Sequence, residues 1–406
     1  MSKCPDQPLS DIRVVDFSQV GTGPGTARIL STHGATVIKV ESGAQPDLAR
    51  LAPPMKDSIP GLNRSGWFIE LNCNKLAMTL NLKHQGGLAV AHRLVAWADV
   101  VIENFTPGVF ERLGLGYEEL KKIKPEVILF STSIQGSGGP HSRHPGFGGT
   151  LAGLAGFSHL TGWPDRGPVE VYGAYPDWLL PPFGAIAILA ALDFRRRTGR
   201  GVHIDASQYE VALNFLGPML LDYLVNDRVW MRRGNEDSSA VPHNAYPCQG
   251  EDRWCVIAVT DDAEWRAFYQ VVAMPELQDV RYATALGRKK HEANIDQLIS
   301  GWTRIREAEE IVKSLQEAGV PAGLVQRGED LRADPQLAHR NHWQVRDHPE
   351  IGPCTLSANP FVLSQTPAEI RTPGALFGQH TEEVCRAYLG MSSEEIEALR
   401  KDGAFR

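Results

Sequence analysis

The chain has no C-x-x-C pair. Its six cysteines, Cys4, Cys73, Cys248, Cys255, Cys354 and Cys385, are scattered, which points to reduced structural thiols rather than disulfides or zinc ligands. There is no H-E-x-x-H, and H-S-R-H at 141–144 sits in a Gly/Pro-rich loop, so no metal site is expected. Basic excess is missing as well. The formal net charge of −7 argues against nucleic acid as the main partner, because a phosphate-binding surface normally carries a surplus of Lys and Arg. No unbroken apolar run reaches the about 18 residues of a membrane-spanning helix. The opening M-S-K-C-P-D-Q-P-L-S-D has no apolar signal core. A cytoplasmic protein without a membrane partner is the expectation. Internal repeats and low-complexity tails are also missing.

What is present is an alternation of strand and helix signals. I-R-V-V-D-F (12–17) is a β-branched run, followed by G-T-G-P-G (21–25) and a helical stretch ending at Gly34. A-T-V-I-K-V-E (35–41), A-M-T-L-N-L (77–82), D-V-V-I-E-N (99–104) and V-I-L-F-S-T-S (127–133) follow as strands, with an amphipathic helix over 86–98. This order predicts a doubly wound α/β domain with a parallel sheet. Its ligand would lie beyond the carboxyl ends of the strands. A Gly/Pro-rich stretch covers 134–178, a helix is predicted over about 180–195, and a strand over 202–206. At 406 residues the chain holds more than one ordinary domain; the composition shift near 230–245 places the divisions at 1–227, a smaller α/β domain at 228–330, and a C-terminal segment, 331–406, that returns to the first.

Two local features invite a chemical reading. G-T-G-P-G after a strand resembles a dinucleotide fingerprint, but Pro24 follows Gly23 and position 26 is threonine, so a nicotinamide site is only weakly signalled and a tight strand-to-helix turn explains the run. V-Y-G-A-Y-P-D-W (171–178) sets a lone carboxylate, Asp177, ahead of an apolar run. On local sequence Asp177 is a helix N-cap, a turn residue or a catalytic group, since burying it without a use is costly.

Several further pieces gain meaning together: V-G-T-G-P (20–24), V-I-K-V-E (37–41), N-C-N-K (72–75), D-V-V-I-E-N-F-T-P-G (99–108), E-R-L-G (111–114), T-G-R-G-V-H-I-D (198–205), R-G-N (233–235), P-H-N-A-Y-P-C (242–248), D-P-Q-L (334–337) and G-Q-H-T (378–381). In this order they resemble the class III CoA-transferases, the family of formyl-CoA transferase and crotonobetainyl-CoA transferase, from about residue 8 to 402. The resemblance implies a CoA-transferase in which Asp177 attacks an acyl-CoA thioester, with coenzyme A as substrate and no permanently bound cofactor. It implies that Val20, Asn72, Lys75, Asn104, Phe105 and Arg112 line the CoA site, with Arg143 as a further phosphate contact. Ser42 stands where relatives often have arginine. The glycines at 146–149 and Gly234–Asn235 are candidate oxyanion donors, and Arg233 to Asn244 a candidate lid. The resemblance also implies an interlocked dimer, either of identical chains or of two homologous subunits in a heterodimer or heterotetramer.

Two other functions compete with this one. A 2-methylacyl-CoA racemase of the same fold pairs its aspartate with a histidine in a G-H-D stretch; the matching stretch here is G-F-G (146–148), and Phe147 carries no proton, although His141 and His144 are near. A non-autonomous subunit of a hetero-oligomeric transferase is the other. For the acid, P-H-N-A-Y-P-C-Q-G-E-D-R-W and the aromatics Trp163, Tyr172, Tyr175 and Trp178 look most like relatives that activate aromatic or dicarboxylic acids in anaerobic degradation, such as succinyl-CoA:benzylsuccinate transferase. An acyl pocket built on Trp163 and Trp178 is expected, and Arg143, Arg166 or Arg233 would meet a second carboxylate.

Overall fold

The structure is a computed structural model that describes residues 7–406; Cys4 lies outside the described residues. The chain forms two compact units. The larger runs through the N-terminal stretch to His159, then Val169–Trp230 and Ala338–Arg406; the smaller comprises Leu160–Pro168 and Met231–Leu337. These bounds put the segment 160–168 with the smaller unit, where the sequence reading kept it in the first domain. No composition shift marks that excursion.

The larger unit is built on a six-stranded parallel sheet: β1 (Arg13–Asp16), β2 (Thr36–Glu41), β3 (Lys75–Thr79), β4 (Val100–Glu103), β5 (Ile128–Ser133) and β6 (Val202–Ser207), in the order β3-β2-β1-β4-β5-β6. Its strands are short and apolar because both faces are covered. The alternation is visible residue by residue. Val14, Val37, Val100 and Ile102 join a core with Ala27, Leu30, Leu180 and Ile188 on one face. Val15, Ile38, Leu76 and Val101 join another with Val90, Leu94, Ile396 and Phe405 on the opposite face. Burial of side chains of this size supplies about 1.5–3 kcal/mol each.

Five helices of this unit matter for the site: α1 (Thr22–Thr32), α2 (Gln85–Trp97), α3 (Gly148–Leu154), α4 (Tyr175–Thr198) and α5 (Gln208–Asn214). A sixth, α6 (Gly217–Asn226), follows directly. Helix α4 starts five residues earlier than the sequence signals predict, so Asp177 lies in its first turn rather than ahead of it. Pro176 is compatible with this, because a first-turn residue needs no N–H partner. Pro181 and Pro182 lie inside the helix; they remove the N–H groups that would meet the carbonyls of Asp177 and Trp178. The helix ends with Arg195, Arg196 and Arg197 in the last turn and Gly199 in the left-handed conformation, φ +70°, as the helix dipole and the C-terminal turn favour. By length and composition α4 is also apolar enough to cross a membrane, although charged and polar residues interrupt its sequence. Leu180, Ala185, Ile188 and Ala191 are nevertheless buried, with Leu180, Ile188 and Ala191 packed on the sheet.

The C-terminal segment adds an antiparallel hairpin, Trp343–His348 and Gly352–Ser357, and a last helix, Ser393–Asp402, whose Ile396 enters the core beside α2. The smaller unit holds a three-stranded antiparallel sheet, His243–Pro247, Trp254–Ala258 and Ala322–Leu324. Its core gathers Trp265, Phe268, Ile295, Ile299, Ile311 and Leu315. Two helices of this unit, Glu292–Thr303 and Ala308–Glu317, contribute to that core.

Candidate active site

The sheet reverses its winding between β1 and β4, since β2 and β3 extend to one side and β5 and β6 to the other. Such a switch point leaves a crevice beyond the carboxyl ends of the two strands. A cavity of about 270 Å³ occupies it, lined by Gln19, Val20 and Thr22 after β1, by Asn104, Phe105 and Pro107 after β4, by Ser133 and Ile134 after β5, and by Ser142, His144, Phe147, Asp177 and Gln208.

Asp177 is half-buried, and its carboxylate accepts a hydrogen bond from the backbone N–H of Gly148. Burial pushes its pKa up from 3.8 to about 6, the Gly148 bond opposing. A desolvated carboxylate is a stronger nucleophile than a hydrated one, and near neutral pH this group is still mostly ionised. Gly148 opens α3, and a side chain there would overlap both Asp177 and Ala174. Residue 148 is glycine because the carboxylate occupies the space.

The turn after β1 is fixed from several sides. Asn104 grips the backbone of Gln19 with both ends of its amide: Oδ1 accepts the Gln19 N–H at 2.7 Å and Nδ2 donates to the Gln19 carbonyl at 2.7 Å. Val20 has φ +67°, a left-handed conformation that costs a β-branched residue on the order of 1–3 kcal/mol. Phe105 stacks on Phe110, with ring centroids 6.0 Å apart, and Phe110 meets Phe17 edge-on at 5.5 Å. The Glu103 carboxylate accepts the Phe105 N–H at 2.8 Å. Burial pushes the Glu103 pKa up to about 7, outweighing its bonds from Ser131 and Phe105, while Glu111 and Asp205 add to the rise.

The residues named from the family resemblance fall into distinct groups. Val20, Asn104, Phe105 and Asp177 come together on the cavity wall. Asn72 and Lys75 are buried, each 1% exposed, and do not line it. Lys75 Nζ instead donates to Asp16 Oδ2 at 2.9 Å, to the Pro24 carbonyl at 2.9 Å and to Asn72 Oδ1 at 3.0 Å. Burial pulls its pKa down to about 8 against the attraction of Asp16, so it is protonated at pH 7. Arg112 and Arg143 are exposed and stand outside the lining, although Ser142 and His144, on either side of Arg143, belong to it. Neither Trp163 nor Trp178 is among the residues that line this cavity. Trp178 donates to the Gly173 carbonyl at 3.0 Å and lies 6.3 Å from the Trp67 ring, while Trp163 belongs to the smaller unit, where it packs over Gly234. The apolar lining comes from Phe105, Phe147, Ile134 and Leu48 instead.

Gln19, Thr22 and Gln208 went unnoticed in the sequence. Gln208 reaches Thr22 Oγ1 at 3.4 Å from the start of α5. The only signal for these residues is position, at the first residues after β1 and β6.

A doubly wound sheet with a half-buried carboxylate at its switch point defines a class of α/β protein that works on a ligand at the strand ends. Comparison with known proteins makes the class specific. The model of "CoA-transferase family III" matches residues 9–381. The chain belongs to that family. It is 32% identical over 402 residues to succinyl-CoA–D-citramalate CoA-transferase of Chloroflexus aurantiacus, covering 98% of both chains. It is 32% identical to succinate–glutarate CoA-transferase of Agrobacterium fabrum, covering 93% of this chain and 94% of the relative. The β subunit of succinyl-CoA–L-malate CoA-transferase of Chloroflexus aurantiacus is 31% identical, with 97% of each covered. Among solved structures, a CaiB/BaiF family protein from Brucella suis superposes with a TM-score of 0.86 at 29% identity, covering 95% of this chain and all of that one. Membership makes this chain an enzyme that moves CoA between an acyl-CoA and a carboxylic acid.

Proposed function

We propose that Asp177 is the nucleophile and that it carries CoA covalently between a succinyl-CoA donor and a dicarboxylic acceptor. The observation behind this is the ionisable, desolvated carboxylate on the cavity wall at the sheet's switch point. The carboxylate oxygen attacks the thioester carbonyl and expels CoA thiolate, forming a mixed anhydride. The thiolate then attacks the Asp177 carbonyl carbon, giving an aspartyl-CoA thioester and releasing the donor acid. The acceptor carboxylate attacks that thioester, again expelling the thiolate. The thiolate finally attacks the acceptor's acyl carbon, which yields the new acyl-CoA and restores the Asp177 carboxylate. One thioester is exchanged for another, so the chemistry is near balance, and the two-stage path divides one hard step into easier ones. Backbone N–H groups near Gly146 to Gly149 are the candidates to hold the oxyanions. The lid is assigned to Arg233 to Asn244.

Val20, Asn104 and Phe105 contact CoA directly in this scheme. Asn72 and Lys75 act by fixing the turn, and Arg112 and Arg143 meet phosphates from the exposed rim. Relatives named for succinyl-CoA, citramalate, malate and glutarate support a dicarboxylic acceptor. Benzylsuccinate, a dicarboxylate with an aromatic arm, belongs in the same acceptor screen. The second carboxylate needs a cation; Arg143, Arg166 and Arg233 are the candidates. The enzyme is assigned to the cytoplasm as an interlocked dimer, of itself or with a homologous subunit. The exposed Ile186 and Leu189 of α4 and Leu221, Leu224 and Val225 of α6 support such an interface.

The test is mass spectrometry of the chain incubated with succinyl-CoA and quenched with hydroxylamine or borohydride. A mass change at Asp177, lost in Asp177→Ala, is expected. If several acyl-CoA donors leave no adduct while deuterium exchanges at the acyl α-carbon, the racemase reading replaces this one.

A further inference from the structure

The turn at 18–20 has its backbone polar groups tied by side chains that are remote in sequence. Ser18 N–H donates to Asp16 Oδ1 at 3.0 Å, and the Ser18 carbonyl accepts from Lys39 Nζ. Gln19 is held at both its N–H and its carbonyl by Asn104. Val20 N–H donates to Asp47 Oδ1 at 2.9 Å, and the same oxygen accepts the Ala49 N–H at 2.9 Å. The other Asp47 oxygen lies 3.1 Å from Lys39 Nζ. Asp47 and Lys39 are both fully buried. Asp47 N–H in turn donates to Glu41 Oε1 at 3.3 Å, and Glu41 is paired with Arg50 at 2.8 Å. Fully desolvated charges of this kind are kept only where their hydrogen bonds are met.

The position they converge on is the strained one. Val20 is β-branched and sits at φ +67° on the cavity wall. A free valine relaxes out of that region, so an external partner has to hold it. Asp47 supplies the acceptor, and Lys39 fixes Asp47 while pinning the start of the same turn.

We propose that Asp47 is a positioning residue of the transfer site, one that clamps Val20 in the left-handed conformation and so sets the wall an acyl-CoA meets. Asp47 does not itself line the cavity. The effect on catalysis rests on the reading that acyl-CoA fills this cavity; the clamp itself does not.

The experiment compares wild type, Asp47→Asn, and Asp47→Asn combined with Val20→Gly, using succinyl-CoA as the donor. For Asp47→Asn the expected result is a rise of about tenfold in KM for succinyl-CoA with a smaller change in kcat. Adding Val20→Gly returns the part of that loss due to the backbone, because glycine adopts φ +67° without a steric cost, while the valine side chain's own contact with CoA stays lost. A lowered melting temperature with KM unchanged, or no recovery from the glycine, overturns the proposal. Amide hydrogen exchange in the wild-type segment 18–22 supplies a readout that needs neither a folded variant nor turnover. Slow exchange at Val20 is expected, and exchange at the rate of an open loop overturns the clamp. A wild type that shows slow exchange but leaves succinyl-CoA untouched would instead remove the substrate reading and keep the clamp.

Discussion

The backbone N–H of Gly148 donates to the carboxylate of Asp177, and the absence of a side chain at 148 is what lets the two meet. An added Cβ would overlap the carboxylate and the Ala174 methyl. Gly148→Ala is therefore expected to displace Asp177 from the cavity wall. Misplacing a nucleophile by about 1 Å costs on the order of 100-fold in rate, so kcat should fall by about that factor. The fold should persist, because α3 is a helix of seven residues outside the parallel sheet. Circular dichroism and steady-state transfer assays check the two halves of this expectation.

The raised pKa of Asp177 gives a pH dependence of known sign. In the proposed mechanism the ionised form attacks, so kcat/KM for the donor should fall as pH drops through about 6. For stability the sign is opposite to that of a salt-bridged carboxylate. The folded protein holds the proton more tightly than the unfolded chain, whose value is near 3.8. Ionisation therefore penalises the fold, with the penalty growing between pH 3.8 and about 6 and complete above it. A shift of this size corresponds to up to about 3 kcal/mol. Asp177→Asn should melt higher than wild type at pH 8, and the gap should close near pH 4. Paired thermal melts across that range measure it; an unchanged gap would exclude burial of the charge as the cause.

Much of this architecture was legible in the chain because sheet strands advertise themselves locally. Val14, Val37 and Val100 face one core and Val15, Ile38 and Val101 the other, so their runs read as apolar throughout, as two-sided burial requires. Asp177 was legible because a carboxylate before an apolar helix is costly without a purpose. The start of α4 was not, because its inner prolines mimic a helix boundary. Lys75 illustrates a second limit. The family resemblance put it among the residues lining the CoA site, but whether a lysine faces a cavity or a buried Asp16 depends on the strand pairing of residues 59 positions apart. Asp47 and Val20 are 27 apart, and no periodicity links them. Phe147, by contrast, was noted only for the proton it cannot carry, and the structure makes it part of the apolar wall.

The Asp16–Lys75 pair, at 2.9 Å and fully desolvated, bears on stability more than on binding. Burial raises the Asp16 pKa, but Lys75 and Lys39 outweigh it and hold Asp16 below its ordinary value. Removing one partner leaves a buried charge short of its counter-ion, which costs about 3–5 kcal/mol. Lys75→Met should lose stability of that order in urea unfolding. Asp16→Asn added to Lys75→Met should recover part of it, since the uncompensated charge is then gone. If Lys75→Met were as stable as wild type and only KM for the donor rose, Lys75 would be a direct phosphate contact after all.

The exposed apolar side chains of α4 and α6 predict an assembly. Ile186 is 64% exposed, and Leu221, Leu224 and Val225 are 61%, 76% and 76% exposed. Large aliphatic groups at this exposure along two helices mark an association surface rather than ordinary surface scatter. Specific, stable interfaces bury about 1,200–2,000 Å² in total, and an interlocked pair would exceed that. The wild-type chain is therefore expected to sediment at twice its 44.6 kDa mass or more, at any practical dilution. Leu221→Glu with Leu224→Glu sets charges against the covered face and should yield a smaller or aggregated species. Asp177 lies in α4 as well, so transfer activity should fall with assembly and return when the leucines are restored. A wild-type chain that sediments as a monomer and still transfers CoA would remove the dimer from this account. A monomer without activity, restored by a homologous second chain, would identify it as one subunit of a hetero-oligomer.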